Sequence, residues 1–361
     1  MKVFLIYGGK SAEHDVSILT AHSIVKEIYY EYYDVIPIYI TRKGDWIQGE
    51  TLYAPVEHSE FLRLAENAEA SMATEEGNLS YGVKITPAAI QSEDAVIFPV
   101  LHGPNGEDGT VQGLFEVLDM PYVGCGVLAS AAGMDKITSK QLFQQAGLPQ
   151  VPYVPVFKFD WNNDQEKIFM RCEGSLIYPM YVKPANMGSS VGISKASNRD
   201  ELIEAINKAL LYDHRIVVEQ GVEAREIEIA ILGNSDVHTS VPGEIVKKID
   251  FYDYEEKYIN NAVDLQIPAE LPEELVAKLQ NYASKAFRII DGTGLSRCDF
   301  FVTSNNEIYL NEVNTLPGFT KFSMYPLLWE YTGLKYSDLV EELIQLALKR
   351  HSEKINYVDV D

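Results

Sequence analysis

Residues Ser296-Arg-Cys-Asp-Phe-Phe-Val-Thr-Ser-Asn-Asn-Glu-Ile-Tyr-Leu-Asn-Glu-Val-Asn314 read as two apolar strands around a Thr303-Ser-Asn-Asn306 turn. If Val302 pairs with Glu307, Arg297 lies opposite Glu312 and Asp299 opposite Leu310. The two-residue period of a strand then puts Arg297, Asp299, Glu312 and Asn314 on one face. Such a polar set is costly in a core unless an ion satisfies it. The oxygens of Asp299, Glu312 and Asn314 suit Mg²⁺ or Mn²⁺, which at nucleotide sites takes one or two carboxylates and completes its shell with phosphate and water. A surface salt-bridge ladder would present the same residues.

Tyr181-Val-Lys-Pro-Ala-Asn-Met-Gly-Ser-Ser-Val-Gly192 is a strand carrying Lys183, then a small-residue loop, then a second strand. Gly and Ser let backbone N–H and hydroxyl groups close over phosphates, although an ordinary flexible hairpin has the same composition. The Walker pattern G-x-x-x-x-G-K-[ST] does not occur. Val217-Val-Glu-Gln220 is an apolar strand ending in Glu219, with Glu226 beyond it. A carboxylate at the mouth of an apolar cleft can accept from a ribose, as in dinucleotide folds, and a solvated strand end looks the same.

Gly8-Gly-Lys-Ser-Ala-Glu-His-Asp-Val-Ser17 follows a strand and enters a helix, which creates an anion site at the helix start. It lacks G-x-G-x-x-G, which argues against a nicotinamide dinucleotide. Glu13 stands where it could hold a substrate ammonium or simply complement the helix dipole. His14 and His102 sit in Gly-rich loops without a Ser or Cys at nucleophilic spacing, so a hydrolase finds little support. Phe251-Tyr-Asp-Tyr-Glu-Glu-Lys-Tyr258 mixes aromatic and charged residues as a loop that packs over something, or as plain surface.

The elements that must position these residues follow a strand-turn-helix order at first. Residues 2–7 predict a buried strand, Ser17–Tyr30 a helix, Val35–Ile40 and Ala95–Leu101 two more strands, and the loop His102–Gly109 a second helix running to about Leu118. This order predicts a Rossmann-like first domain. Residues 51–93 have no strong period and read as an insertion, or as a surface helix plus loop. A helix at Ile137–Gln145 ends at Gly147, and the Pro-spaced Leu148–Pro155 reads as a domain boundary. Strands follow at Met180–Lys183, Gly192–Lys195 and Arg215–Gln220, with a helix at Arg199–Leu211. Beyond Glu226 come a Tyr-rich segment at 250–264, a helix at Pro272–Ile290, the hairpin at Leu295–Val313 and a helix at Ser337–Arg350.

Bulk properties bound the reading. With 361 residues the chain exceeds one ordinary core, and 46% hydrophobic with 23% charged residues is a globular composition. A formal charge of −23 repels nucleic acid and anionic membrane surfaces, so any phosphate must be small and held locally by a few Lys or Arg, backbone N–H groups and a divalent cation. Cys125, Cys172 and Cys298 form no even or C-x-x-C framework, which fits a reducing compartment. The opening apolar run stops at Gly8-Gly9, too short for a signal core or a membrane span, and the expectation is a cytoplasmic protein.

Gly8–Ser17, Leu101-His-Gly-Pro-Asn-Gly-Glu-Asp-Gly109, Tyr252-Asp-Tyr254 with Lys257-Tyr258, and Asn311-Glu-Val-Asn-Thr-Leu-Pro-Gly318 together resemble D-alanine-D-alanine ligases, in the family's order and over about residues 3–350. The resemblance implies a three-domain α/β ATP-grasp fold: a Rossmann-like N-terminal domain at 1–135, and antiparallel-sheet α+β domains at 136–220 and 221–361 that clasp ATP. It makes Lys136 and Lys183 phosphate-contacting lysines, Ser189 and Ser190 the phosphate loop, and Glu219 and Glu226 ribose carboxylates. Lys257 joins the nucleotide contacts, and so does Gln220, where many relatives have Lys. Asp299, Glu312 and Asn314 become the metal ligands. Glu13 becomes the ammonium site of the first D-alanine, Arg297 and the Gly318 backbone the oxyanion stabilisers, and Ser323 a carboxylate contact for the second substrate. His102 and Met324 line the substrate site. Tyr258 closes a network with Glu13 and Ser189 that favours an amine over a hydroxyl acceptor.

The implied reaction phosphorylates one D-alanine with ATP to an acyl phosphate, which the amine of a second D-alanine attacks. A lid is expected at 250–261 and a homodimer as the assembly. A D-alanyl-D-lactate ligase, another ATP-grasp amide ligase, or a nucleotide-binding regulator without turnover are the rival readings.

Overall fold

From Val3 to Tyr7 every residue is buried, and Val35–Ile40 is nearly the same, the pattern of strands covered on both faces. The structure, a computed structural model, describes residues 1–65, 80–247 and 263–355. In the first sheet β1 (Lys2–Gly8) lies parallel to β2 (Asp34–Ile40), which continues antiparallel through β3 (Trp46–Gln48). A short pair, β4 (Leu64–Ala65) and β5 (Ser80–Tyr81), stands apart; β6 (Val83–Ile85) edges the sheet beside β3, and β7 (Ala95–Pro99) pairs with the other side of β1. β1 therefore has a parallel neighbour on each side, so the ends of β1 and β7 open onto the crevice where such folds bind ligands.

Helix α1 (His14–Glu27) connects β1 to β2. The sequence pointed to a start at Ser17, a favoured capping residue. The helix begins earlier because Ser17 turns inward: its Oγ accepts from Gly8 N at 2.8 Å and donates to Val100 O at 2.6 Å. The described part of 51–93 holds two 3₁₀ turns and short strands rather than a surface α-helix. Helices α2 (Thr110–Val117), α3 (Val127–Met134) and α4 (Lys136–Gln145) lead into the second sheet.

That sheet has the order β10-β9-β11-β8, all antiparallel, from β8 (Tyr153–Phe157), β9 (Met180–Pro184), β10 (Ser194–Ala196) and β11 (Arg215–Gln220). Pro155, read from the sequence as part of a linker, lies in β8; a proline is tolerated there because β8 is an edge strand. Helices α5 (Lys158–Asn163), α6 (Gln165–Ser175) and α7 (Arg199–Ala209) cover one face, burying Val182, Ile216 and Val218. The opposite face carries Lys183, Val217 and Glu219.

The third sheet is also antiparallel. It runs β14-β13-β12-β15-β16, from β12 (Arg225–Gly233), β13 (Val237–Lys247), β14 (Val263–Gln266), β15 (Gly294–Val302) and β16 (Ile308–Asn314). Ile227, Ile229, Cys298 and Phe300 pack against α8 (Glu273–Ile289) through Leu275, Leu279, Ala283 and Phe287, residues at helical spacing. The other face shows Glu226, Glu228, Arg297 and Asp299. Two helices close the chain, α9 (Met324–Thr332) and α10 (Tyr336–Ile355), the latter longer than the sequence indicated. α10 buries Leu339, Val340, Leu343 and Ile344 in one core with Val3, Leu5, Val96 and Phe98 of the first sheet.

Candidate functional site

The face of the second sheet left uncovered by its helices meets the polar face of the third. Helix α4 delivers two lysines into this gap. Its start is fixed by Asp135, whose side chain accepts from Thr138 N at 2.8 Å and pairs with Arg215. Lys136 and Lys140, one turn apart, then share a face. Lys136 Nζ donates to Met187 O at 2.9 Å and lies 3.6 Å from Glu312 Oε2. Lys140 is 1% exposed, with Nζ 2.9 Å from Glu219 Oε1. Lys183 on β9 reaches the other oxygen of Glu219 at 2.7 Å and Asn311 Oδ1 at 3.3 Å.

Burial alone would raise the Glu219 carboxyl, but Lys140 and Lys183 hold it down to about 2. The two lysines differ. Burial prevails at Lys140 and lowers its pKa, whereas at Lys183 the Glu219 charge, helped by Glu312 and Glu226, outweighs burial and raises it.

The hairpin register departs from the expected one. Val302 pairs with Ile308 and Phe300 with Leu310; past a bulge, Asp299 lies opposite Glu312 and Arg297 opposite Asn314. The extra residue is Asn311. In an unbroken strand Leu310 and Glu312 would share a face; the bulge lets Leu310 and Val313 both enter the core while Glu312 and Asn314 face the gap. The four polar residues do share a face, with pairings that turn-counting missed.

Arg297 binds Asp299 with two parallel bonds, Nε to Oδ1 at 2.7 Å and Nη2 to Oδ2 at 2.8 Å, and its Nε lies 3.0 Å from Glu228 Oε2. Burial opposes the guanidinium's charge, yet Asp299 and Glu228 hold its pKa well above the usual value. Asn314 Oδ1 accepts from Leu316 N at 3.0 Å.

Towards the first sheet the gap widens into a cleft of about 160 Å³ between the Lys10–Glu13 turn, Gly103-Pro104 and the Met187–Val191 loop. Glu13 and Ser189 both line it. Ser189 and Ser190 have φ of 50° and 59°, a left-handed pair that is strained for residues with a side chain and is typical of ligand clamps. His102 is buried with Nδ1 3.5 Å from Glu107 Oε1. Burial pushes its pKa down; Glu107, Glu13 and the Leu316 backbone together push it above the ordinary value. Near Gly318, Ser323 Oγ accepts from Thr320 N at 3.1 Å, and a methyl group on Gly318 would come within 3.2 Å of that oxygen.

Thus Lys136, Lys183, Glu219, Glu226, Arg297, Asp299, Glu312 and Asn314 gather at the sheet-to-sheet gap, and Glu13 and Ser189 meet in the adjoining cleft. Met324 is buried in the core shared with the first sheet, and a Cβ on Gly243 would lie 2.7 Å from its sulfur. Gln220 accepts from Ile177 N at 3.3 Å. Lys257, Tyr258 and the expected lid at 250–261 lie outside the described residues. The structure adds Lys140, Glu228, Asn311 and Glu107, to which the sequence motifs assign no role. Lys140 was accessible as the position four beyond Lys136, and Glu228 as the strand alternate of Glu226; nothing local marks Asn311 as a bulge.

The chain matches two family models, D-ala D-ala ligase N-terminus over residues 2–125 and D-ala D-ala ligase C-terminus over 142–345. It is 59% identical to the D-alanine–D-alanine ligase of Enterococcus faecalis over 350 residues, covering 97% of this chain and 99% of that one. It is 56% identical to the enzyme of the same name from Enterococcus hirae, covering all of both chains. Among solved structures, the D-alanine-D-alanine ligase from Coxiella burnetii superposes with a TM-score of 0.82 at 31% identity, covering 99% and 97% of the two chains. The VanG D-Ala:D-Ser ligase from Enterococcus faecalis gives 0.81 at 33%, covering 96% and 99%.

Proposed function

The chain belongs to the D-alanine–D-alanine ligase family, and from that premise we propose that it joins two D-alanine molecules at the expense of ATP, for cell-wall peptidoglycan precursors. The observation that carries the site assignment is the approach of Lys136 to Glu312 at 3.6 Å, which brings a lysine-bearing face and a carboxylate-bearing face to opposite walls of one gap. A nucleotide triphosphate needs both walls: cations for its oxygens, and carboxylates to carry a counter-ion.

An amine does not displace oxide from a carboxylate at neutral pH, so one D-alanine carboxylate oxygen attacks the γ-phosphorus and ADP leaves. The second D-alanine's amine, having lost its proton, attacks the resulting acyl carbon, and the C–O bond breaks to release phosphate. Little covalent help is needed, and positioning with charge neutralisation does most of the work. Lys136 and Lys183 neutralise phosphate oxygens and Ser189 and Ser190 close over them. Arg297, kept charged by Asp299 and Glu228, stabilises the oxyanion together with the Gly318 backbone. Glu13 holds the first ammonium, and Ser323 contacts the second carboxylate. Tyr258 selects an amine as the acceptor.

Asp299, Glu312 and Asn314 offer only oxygen donors on one face, which fits Mg²⁺ or Mn²⁺. A cation held there would complete its shell with phosphate oxygens and water. When bound, the cation supplies charge to the phosphate oxygens. The same reading divides the chain at about 135 and 220, puts an ATP-consuming enzyme in the cytoplasm and takes it as a homodimer. No described helix is long and apolar enough to cross a membrane. Screening D-alanine, D-serine and D-lactate for dependent ADP release tests the reading: release with D-alanine alone and a D-alanyl-D-alanine product support it, and ADP formation indifferent to all three refutes it.

A further inference from the structure

Lys140 is a buried cation that the reaction above does not use. Its Nζ stands 2.9 Å from Glu219 Oε1 and 5.4 Å from the centre of the Tyr153 ring, and no solvent reaches it. Glu219, 2% exposed, gives its second oxygen to Lys183 at 2.7 Å. Each oxygen of this carboxylate therefore faces a lysine. The charges decide what the group can do. Glu219 and Lys183 alone would make a closed, neutral pair, and a neutralised lysine presents little field to a phosphate in a low-dielectric gap. With Lys140 on the far oxygen, two ammonium groups share one carboxylate, and the trio keeps one net positive charge. Of the two lysines, Lys183 is on the side of the opening: it reaches Asn311 of β16, whereas Lys140 lies behind Glu219 against β8.

We propose that Lys140 is a positioning residue which takes up part of the Glu219 charge from behind, so that Lys183 remains a net cation towards the nucleotide phosphates. This rests on the assignment of the gap to ATP. The KM for ATP of Lys183→Ala is measured first and tests that assignment by itself: a rise supports it, and an unchanged value means that the phosphates lie elsewhere. The inference is then tested with Lys140→Met, which keeps the stem and removes the charge, and with the double variant Lys140→Met/Glu219→Gln, which removes the carboxylate as well.

In Lys140→Met the KM for ATP rises about tenfold, the scale of one charge-assisted contact, with kcat and the KM for D-alanine within about twofold of wild type. In the double variant Lys183 is again un-neutralised, and the KM for ATP falls back towards the wild-type value. A packing role for Lys140 predicts neither result: the melting temperature drops while the KM for ATP stays, and the second substitution adds further damage. Either outcome overturns the inference while the assignment to ATP stands. Should Lys140→Met not fold, ¹⁵Nζ spectra of lysine-labelled wild type decide. The Lys140 and Lys183 ammonium signals shift together when a non-hydrolysable ATP analogue binds with Mg²⁺; a Lys140 signal that is unaffected, or that belongs to a neutral amine, contradicts it.

Discussion

The chemistry of this chain rests on charges that are partly withdrawn from water, and each can be tested by removing charge while keeping shape. Asp299→Asn and Glu312→Gln each abolish ADP formation, to below about 1% of wild type if the lost electrostatic stabilisation follows other preorganised sites, with an unchanged circular dichroism spectrum. Wild-type turnover by either variant would remove the shared hairpin face from the mechanism. Glu219 makes a pH prediction. Its folded pKa lies near 2 against an ordinary 4.5, so its contribution to stability is complete above about 4.5 and disappears as pH falls towards 2. Acid titrations should show wild type more stable than Glu219→Gln at neutral pH, with the two curves converging across that window; parallel curves would mean that Glu219 is not ion-paired in the folded state. The hairpin carboxylates could be found in the sequence because strand alternation groups them. For Glu219 the strand spacing marks an acid at a strand end that could accept from a ribose, but the lysines that fix its ionisation come from α4 and β9, and one-dimensional spacing does not report that meeting.

At the level of elements, the bulge at Asn311 reconciles a core strand with a polar site. Leu310 and Val313 go inward and Glu312 and Asn314 outward, and no regular strand that includes Asn311 satisfies both. Deleting Asn311 removes the bulge and leaves Leu310, Glu312, Val313 and Asn314 in regular alternation, each on its present face. The expected result is a folded variant that loses the Asn311 contact to Lys183, with urea unfolding within about 1–3 kcal/mol of wild type. A collapse of the fold on deletion would show that the bulge itself, and not only the alternation, shapes the strand. Elements with a strong local signal, such as β1, β2, β11, α7 and α8, were legible from hydrophobic runs, caps and helical spacing. Those defined by partners were not. β8 looks like a domain boundary until the edge of a sheet accepts its proline, β13 carries a Pro242-Gly243 pair that reads as a turn although the Gly233-Asn-Ser-Asp236 turn before it is marked, and α9 begins directly after the Gly318 loop.

Across the whole molecule, the end of the chain ties the first and third sheets together. Arg350 of α10 bonds to Tyr122 O at 2.9 Å, Thr293 Oγ1 at 2.6 Å and Gly124 O, and its guanidinium lies 4.2 Å from the Tyr122 ring centre. Arg350→Ala should lower stability by about 2–3 kcal/mol and depress the melting temperature, because three acceptors lose a charged donor at once. An unchanged melting temperature would show that the helix holds by its apolar face alone. The three-sheet plan was legible as a strand-helix alternation followed by hairpins, but the return of α10 to the first sheet was not, because nothing in Ser337–Arg350 names the surface it will cover. The central claim is that this assembly activates a D-alanine carboxylate by phosphorylation before an amine attacks it, and an isotope measures it directly. With D-alanine labelled by ¹⁸O in its carboxylate, ATP and Mg²⁺, each turnover should release phosphate carrying one labelled oxygen, alongside ADP and D-alanyl-D-alanine. Unlabelled phosphate accompanying dipeptide would contradict the acyl-phosphate route, and ADP without dipeptide would contradict the ligase assignment.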